Sequence, residues 1–231
     1  MSARAGTGAE ASQATAGADD LQTISSLTAA REAVNSCRRC SLYRNASQGV
    51  FGEGPKSARV MFVGEQPGDQ EDIEGRPFVG PAGRVLDEVI TEVGIDRRRV
   101  YVTNAVKHFK FIQRGKRRIH QRPDGGEVAA CRFWLNLELD LVRPQVVVAL
   151  GATAARSLLG RASITIGKLR GAPLRMENGP VLFVTNHPSY LLRIPDAEGR
   201  RRERAKFAAD LALVRQAMEE QENSGTARGS A

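Results

Sequence analysis

Three cysteines in 231 residues are too few for a disulfide framework, and an odd number leaves at least one thiol unpaired. Cys37 and Cys40 form a C-x2-C pair and Cys131 stands far downstream. In a reducing compartment that pattern indicates free thiols or a metal or cluster site. No apolar run approaches the roughly 18–20 residues that span a bilayer. The N-terminus has no basic start followed by an apolar stretch, so neither an anchor nor a secretory signal is expected. The expected location is therefore cytoplasmic, with no membrane partner. Charge of one sign is in excess: 34 Lys and Arg against 26 Asp and Glu give a formal net charge of +8 and a pI of about 9.9. Such a balance suits a polyanionic partner, although a basic, soluble surface explains it equally well.

The length suits one sizeable α/β domain. Residues 1–22 are rich in Ala, Gly, Ser, Thr and Gln, and 222–231 are similar. Neither stretch can bury enough apolar surface to offset chain entropy, so both are expected to be disordered tails around a domain at 23–221. Within that domain, residues 58–64, 100–104, 145–151, 173–176 and 181–186 read as strands. Helices are expected over 27–34, around 85–93, over 127–141, after Gly151 and over 201–220. Strands alternating with helices predict an α/β fold: three layers, α/β/α, around a central, mainly parallel four-stranded sheet. Ligands of such sheets bind beyond the carboxyl ends of the strands. Three unusual segments follow strand ends here: GEQPGDQED (64–72), NAVKHFK (104–110) and HPSYLLR (187–193).

Each segment has a plain reading and a chemical one. The first is a Gly/Pro turn with solvated acids, or a site built on Gly64 and Glu65. It continues into GRPFVGPAG, where Phe78 sits in a Gly/Pro-rich loop with little core to join and could serve as an aromatic platform for a planar ring. Asn104 is either a loop cap or an amide offering a donor and an acceptor together. His187 is either a buried histidine satisfied by backbone or a donor to a leaving group gaining negative charge. The following Tyr190, Leu191 and Arg193 have the makeup of an apolar wedge with a cation for phosphate.

Taken in order, the GE-x-PG motif, the PFVGPAG loop, the strand-ending Asn and the HPS motif resemble the uracil-DNA glycosylase superfamily, specifically its iron–sulfur, family 4-like branch. The resemblance covers roughly residues 35–215. It implies a DNA-repair enzyme that cleaves uracil from deoxyribose, with uracil-containing DNA as partner. Glu65 would be the catalytic carboxylate beside Gly64, Phe78 would stack on the base, Asn104 would read its O4 and N3–H, and His187 would donate to its O2. Ser189, Tyr190, Leu191 and Arg193 would enter the DNA, while Gln66, Asp69 and Asp72 would hold the site. The branch also carries a [4Fe–4S] cluster on four cysteines, the third in the pattern N-x-x-K-C. His108 occupies that position here, which implies Cys37, Cys40, His108 and Cys131 as ligands. A Cys3His zinc site fits the same ligands.

Between His108 and Cys131 lies a basic stretch, FKFIQRGKRRIHQRPDGGEVAA. It reads as a loop whose Lys116, Arg117 and Arg118 grip phosphates, with His120 as a polar spacer. Together with GEQPG, however, KRRIH resembles the UdgX branch of the superfamily. That likeness implies His120 as a nucleophile that captures the deoxyribose C1′ after uracil leaves. Tyr190 departs from the UdgX pattern, which usually has Ser there. Single-stranded DNA is the expected substrate form, since flipping a base out of a duplex costs about a few kcal/mol, and the expected state is a monomer. The rivals are a conventional glycosylase that uses water and a metal-stapled DNA-binding module with no activity.

Overall fold

The computed structural model describes residues 24–175 and 179–228, with backbone alone for 222–228. The expected N-terminal tail lies outside the described residues. In chain order, α1 (Leu27–Asn35) precedes β1 (Val60–Gly64), α2 (Asp69–Glu74), α3 (Pro81–Glu92) and β2 (Val100–Asn104). Then come β3 (Phe111–Arg114), β4 (Arg117–His120), α4 (Gly125–Val142), β5 (Val146–Leu150) and α5 (Ala152–Leu159). The chain continues through α6 (Ile166–Leu169), β6 (Leu174–Arg175), β7 (Val181–Thr185), α7 (Pro188–Arg193) and α8 (Ala197–Arg228).

The central sheet has the order β2-β1-β5-β7-β6. Its first four strands are parallel, as the alternation of strands and helices predicts, and β6 adds a two-residue antiparallel edge. The four parallel strands are almost wholly buried, so they read as continuous apolar runs rather than alternating ones. Their side chains still alternate between faces. Val60, Phe62, Val146 and Val148 pack with Leu86 and Ile90 of α3 and Phe207 and Leu211 of α8. Met61, Val63, Val147 and Ala149 face the other way, onto Leu135 of α4 and Ala154 and Ala155 of α5. The result is the three-layer α/β/α arrangement. Among the described residues no helix is long and apolar enough to cross a membrane.

Two elements differ from expectation. The basic insertion forms a β-hairpin, β3–β4, with Phe111 opposite His120 and Ile112 opposite Ile119. Gly115 makes its two-residue turn possible at φ +58, where other residues are strained. The last helix begins earlier than Arg201, with Asp196 accepting from the Gly199 N–H. It also continues to Arg228, into the stretch expected to be a tail. No proline interrupts 201–228, and the one glycine there, Gly225, does not end the helix.

A fully buried ion pair joins α4 to the turn after β2. Lys107 Nζ donates to Glu138 Oε2 at 2.6 Å, to Thr103 Oγ1 at 2.6 Å and to the Asn104 carbonyl at 2.7 Å. All three ammonium protons are used, and Glu138 also accepts from Tyr101 and from the Gly52 N–H. Lys107→Met would strand the Glu138 carboxylate without its counter-charge. The expected cost is about 3–5 kcal/mol, read as a lower urea midpoint at unchanged slope. A loss below about 1 kcal/mol would show that the pair is not a structural linchpin.

Candidate active site at the carboxyl edge of the sheet

β1 and β2 run in register, so Gly64 and Asn104 end side by side. β7 delivers His187 to the same edge, and α5 begins there after β5. A cavity of about 630 Å³ opens at this point. Gly64 lies against three of its lining residues. A Cβ on it would lie 2.3 Å from Asn104 Oδ1, 2.8 Å from Phe78 Cζ and 3.4 Å from His187 Nε2. Those three groups therefore converge on one spot, which only glycine leaves open.

Phe78 is not the exposed loop aromatic expected from its Gly/Pro surroundings. It is 7% exposed and packs into the core with Leu86 and Leu191. Its backbone is left-handed, φ +59. Gly83 permits this by close approach, since a Cβ there would sit 1.7 Å from the Phe78 carbonyl oxygen. Such strain at a ligand-lining residue persists only when neighbours enforce it. Glu71 is one enforcer: its carboxylate accepts from the Gly68 and Gly80 N–H groups, pinning both ends of the loop. The Phe78 and His187 rings lie 6.2 Å apart and within 26° of parallel.

His187 Nδ1 accepts from the Ser189 N–H at 3.2 Å. A neutral ring so bonded carries its proton on Nε2, the atom aimed at the cavity floor. Burial, with help from Arg193 and His120, pushes its pKa down to about 4. It is thus an uncharged donor near neutral pH. Ser189, expected on DNA, serves here to orient His187.

Glu65 and His120 stand on the cavity wall with Glu65 Oε1 3.6 Å from His120 Nε2. Thr153 Oγ1 donates to Glu65 Oε2, and Arg122 Nε lies 3.9 Å from it. Neither Thr153 nor Arg122 was singled out in the sequence. Thr153 was findable, because it opens the helix after a core strand, where parallel sheets bind ligands. Desolvation lowers the His120 pKa below its ordinary 6.5, partly opposed by Glu65.

The hairpin is held in place by four residues expected to hold the site or contact DNA: Gln66, Asp69, Asp72 and Arg118. Gln66 Nε2 donates to the Gln121 carbonyl at 2.8 Å and, more weakly, to that of Lys110, while Gln66 Oε1 accepts from the Lys110 N–H at 3.0 Å. One amide thus clamps both legs of the hairpin. Arg118 turns inward. It donates to Asp69 and Asp72 at 2.5 Å each and covers Phe111. Asp69 also lines the cavity, whereas Asp72 is fully buried and does not. The alternation of β4 explains this: Arg118 and His120 share the inner face, which leaves Arg117 on the outer one. Lys116 and Arg117 are exposed. In α7, Leu191 is 3% exposed and belongs to the core, so it is not part of a wedge. Leu192, at 49%, faces out instead, beside Tyr190 at 40%. Arg193 lines the cavity.

Behind the site, Cys37, Cys40 and Cys131 pack in one cluster under α1 and α4. Trp134 Nε1 donates to Cys37 Sγ and the Lys107 N–H to Cys131 Sγ, both at 3.2 Å. Burial pushes the Cys131 thiol up to about 12. His108 is 2% exposed and its Nδ1 is buried with no hydrogen-bond partner. Among the described residues, no three His, Cys, Asp or Glu side chains close into a cage for a single metal ion.

Residues 51–212 match the uracil DNA glycosylase superfamily. The chain is 42% identical over 170 residues to the type-4 uracil-DNA glycosylase of Thermotoga maritima, an alignment spanning 74% of this chain and 85% of that protein. It is 35% identical over 198 residues to the type-4 uracil-DNA glycosylase of Sulfurisphaera tokodaii, over 83% and 87% of the two chains. A type-5 uracil-DNA glycosylase of Pyrobaculum aerophilum is 31% identical over 180 residues, 71% of this chain and 76% of that one. The matched span runs from just before β1 into α8 and so includes every wall of the cavity, and on that ground the chain belongs to the uracil-DNA glycosylase superfamily.

Proposed function

We propose that this protein excises uracil from DNA and is then captured covalently, through His120, at C1′ of the deoxyribose. The observation that carries the reading is the approach of Glu65 and His120 to 3.6 Å on the wall of a cavity whose floor holds Asn104 and His187. Uracil enters against Phe78, with Asn104 reading O4 and N3–H. The C1′–N1 bond breaks and its electron pair leaves with the base. The His187 Nε2–H stabilises the charge growing on O2, and the Glu65 carboxylate stabilises the electron-poor sugar. The neutral His120 ring donates its lone pair to C1′ and releases its remaining ring proton to solvent, and uracil gains a proton from solvent. Single strands are the preferred form, because they avoid much of the cost of extruding a base.

Cys37, Cys40, Cys131 and His108 suit a [4Fe–4S] cluster, whose ligands each bind a different iron and need not converge on one point. The unpartnered His108 Nδ1 and the N–H groups directed at Cys37 and Cys131 support this set. The cluster would tie the segment after α1 to the turn carrying Asn104.

The test is a denaturing gel with a uracil-containing single strand. The expected result is a protein–DNA species that survives SDS and heat, one per protein. Many turnovers with free abasic DNA would replace capture by hydrolysis, and no uracil release would overturn the activity itself. Because desolvation lowers the His120 pKa below 6.5, the imidazole remains neutral at pH 7. Adduct formation should therefore be level above pH 7 and decline only as acid protonates the ring. A rate that rises as pH falls would contradict a neutral nucleophile.

A further inference from the structure

The described residues carry five large, exposed apolar side chains: Ile73, Ile112, Ile119, Tyr190 and Leu192. All five lie on the three elements that frame the cavity mouth. Ile73 is on α2, Ile112 and Ile119 are on the hairpin, and Tyr190 and Leu192 are on α7. Exposed apolar groups scattered singly need no explanation, but groups gathered around one opening mark a contact surface.

The hairpin pair is the most informative. Cross-strand partners share a face, and faces alternate along each strand. Phe111, Gln113, Arg118 and His120 therefore share the inner face, with Arg118 on Asp69 and Asp72 and His120 on Glu65. The outer face holds Ile112 opposite Ile119 and Arg114 opposite Arg117. Ile112 is 53% exposed and Ile119 38%, and both arginines are exposed. Neither inner-face anchoring nor core packing uses these four residues. A paired aliphatic platform edged by two cations matches a single strand of nucleic acid, which offers bare base faces and phosphates together.

We infer that the outer face of this hairpin, Ile112 and Ile119 with Arg114 and Arg117, is a second DNA-contact surface that seats the unpaired nucleotides flanking the extruded uracil. The inference rests on the uracil-excision reading for its occupant. Continuity supports it, since the strand that carries His120 into the cavity carries Ile119 on its back. In a duplex the flanking bases are stacked on each other and cannot use the platform, so this face also selects for single strands.

The test uses the full chain and a uracil-free oligothymidylate, so binding is read without catalysis. Ile112→Thr/Ile119→Thr keeps β-branched residues, and hence strand preference, while removing the apolar platform. Its affinity for the single strand, by fluorescence anisotropy, is expected to fall about fivefold, the low end for loss of a base-stacking contact. Its affinity for the same strand in a duplex should fall about twofold or less. Arg114→Gln/Arg117→Gln provides a second measure that does not depend on the apolar pair. The slope of log affinity against log salt should shrink by about 1.4, from two lost phosphate contacts. Single-strand binding and salt slope both unchanged would overturn the inference, even if the wild type releases uracil normally. A wild type that sediments as a dimer, and as a monomer once the isoleucines are replaced, would assign the face to a second copy and overturn it too. Failure of the excision reading shows separately, as no uracil release by the wild type.

Discussion

His120→Ala will abolish the SDS-resistant protein–DNA species while leaving uracil release in place. The hairpin is anchored by Gln66 on its two legs and by Arg118 on Asp69 and Asp72, and none of those bonds involves the His120 side chain. Removing the imidazole gives up its approach to Glu65 at 3.6 Å and its loose contact with Phe109, at 6.1 Å between rings, and neither anchors the hairpin. The cavity floor and Glu65 stay as they are, so bond cleavage proceeds. The space vacated beside C1′ admits water, and the variant should turn over repeatedly, releasing abasic DNA. The measurement is the pair of yields, adduct on a denaturing gel and free uracil from the same reaction. The adduct should drop by at least about 100-fold, since the lone pair that forms it is gone. An undiminished adduct would remove His120 from the role. Loss of both adduct and uracil would mean that the ring takes part in cleavage itself.

Glu65→Gln is expected to slow uracil release by about 10²–10³-fold. The change is nearly isosteric, and an amide oxygen still accepts from Thr153, so the side chain keeps its place. Only the negative charge goes. That charge sits where the sugar becomes cationic, in a half-closed site where solvent screens it less than in bulk water. Adduct formation should fall by the same factor, because cleavage precedes capture. DNA binding should be retained, since removing a carboxylate from a basic face does not weaken attraction for phosphates. Single-turnover release of uracil, measured at saturating protein, separates the rate from affinity. A loss below tenfold would leave the carboxylate only a positioning role.

The layered fold was legible because its parallel strands are runs rich in Val, with Phe, Leu and Ala, most of them bordered by Gly or Pro, and its helices carry apolar residues at helical spacing. The cavity's place was legible for the same reason, since Gly64 and Asn104 end strands and His187 follows one closely. The hairpin was missed, although Gly115 and Lys116 sit between two alternating stretches, because its strands face solvent and carry few apolar residues to mark a period. Three assignments changed once packing was visible. Phe78 is buried, because Gly83 admits its backbone and α3 covers it. Leu191 leaves the wedge for the core while Leu192 faces out, because neighbours on a helix point about 100° apart and only the core decides which turns inward. Arg118 serves Asp69 and Asp72, because the pleat of β4 puts it on the inner face.

Chemistry tied to chain order was settled by the sequence alone: which residues lie at strand ends, and that a basic insertion separates His108 from Cys131. Tertiary structure alone decided what those residues do to one another, because distance, burial and the direction of a side chain depend on contacts between segments far apart in the chain. Thr153 meets Glu65, Gln66 clamps a hairpin some 50 residues away, and His120 faces Glu65 from 55 positions on.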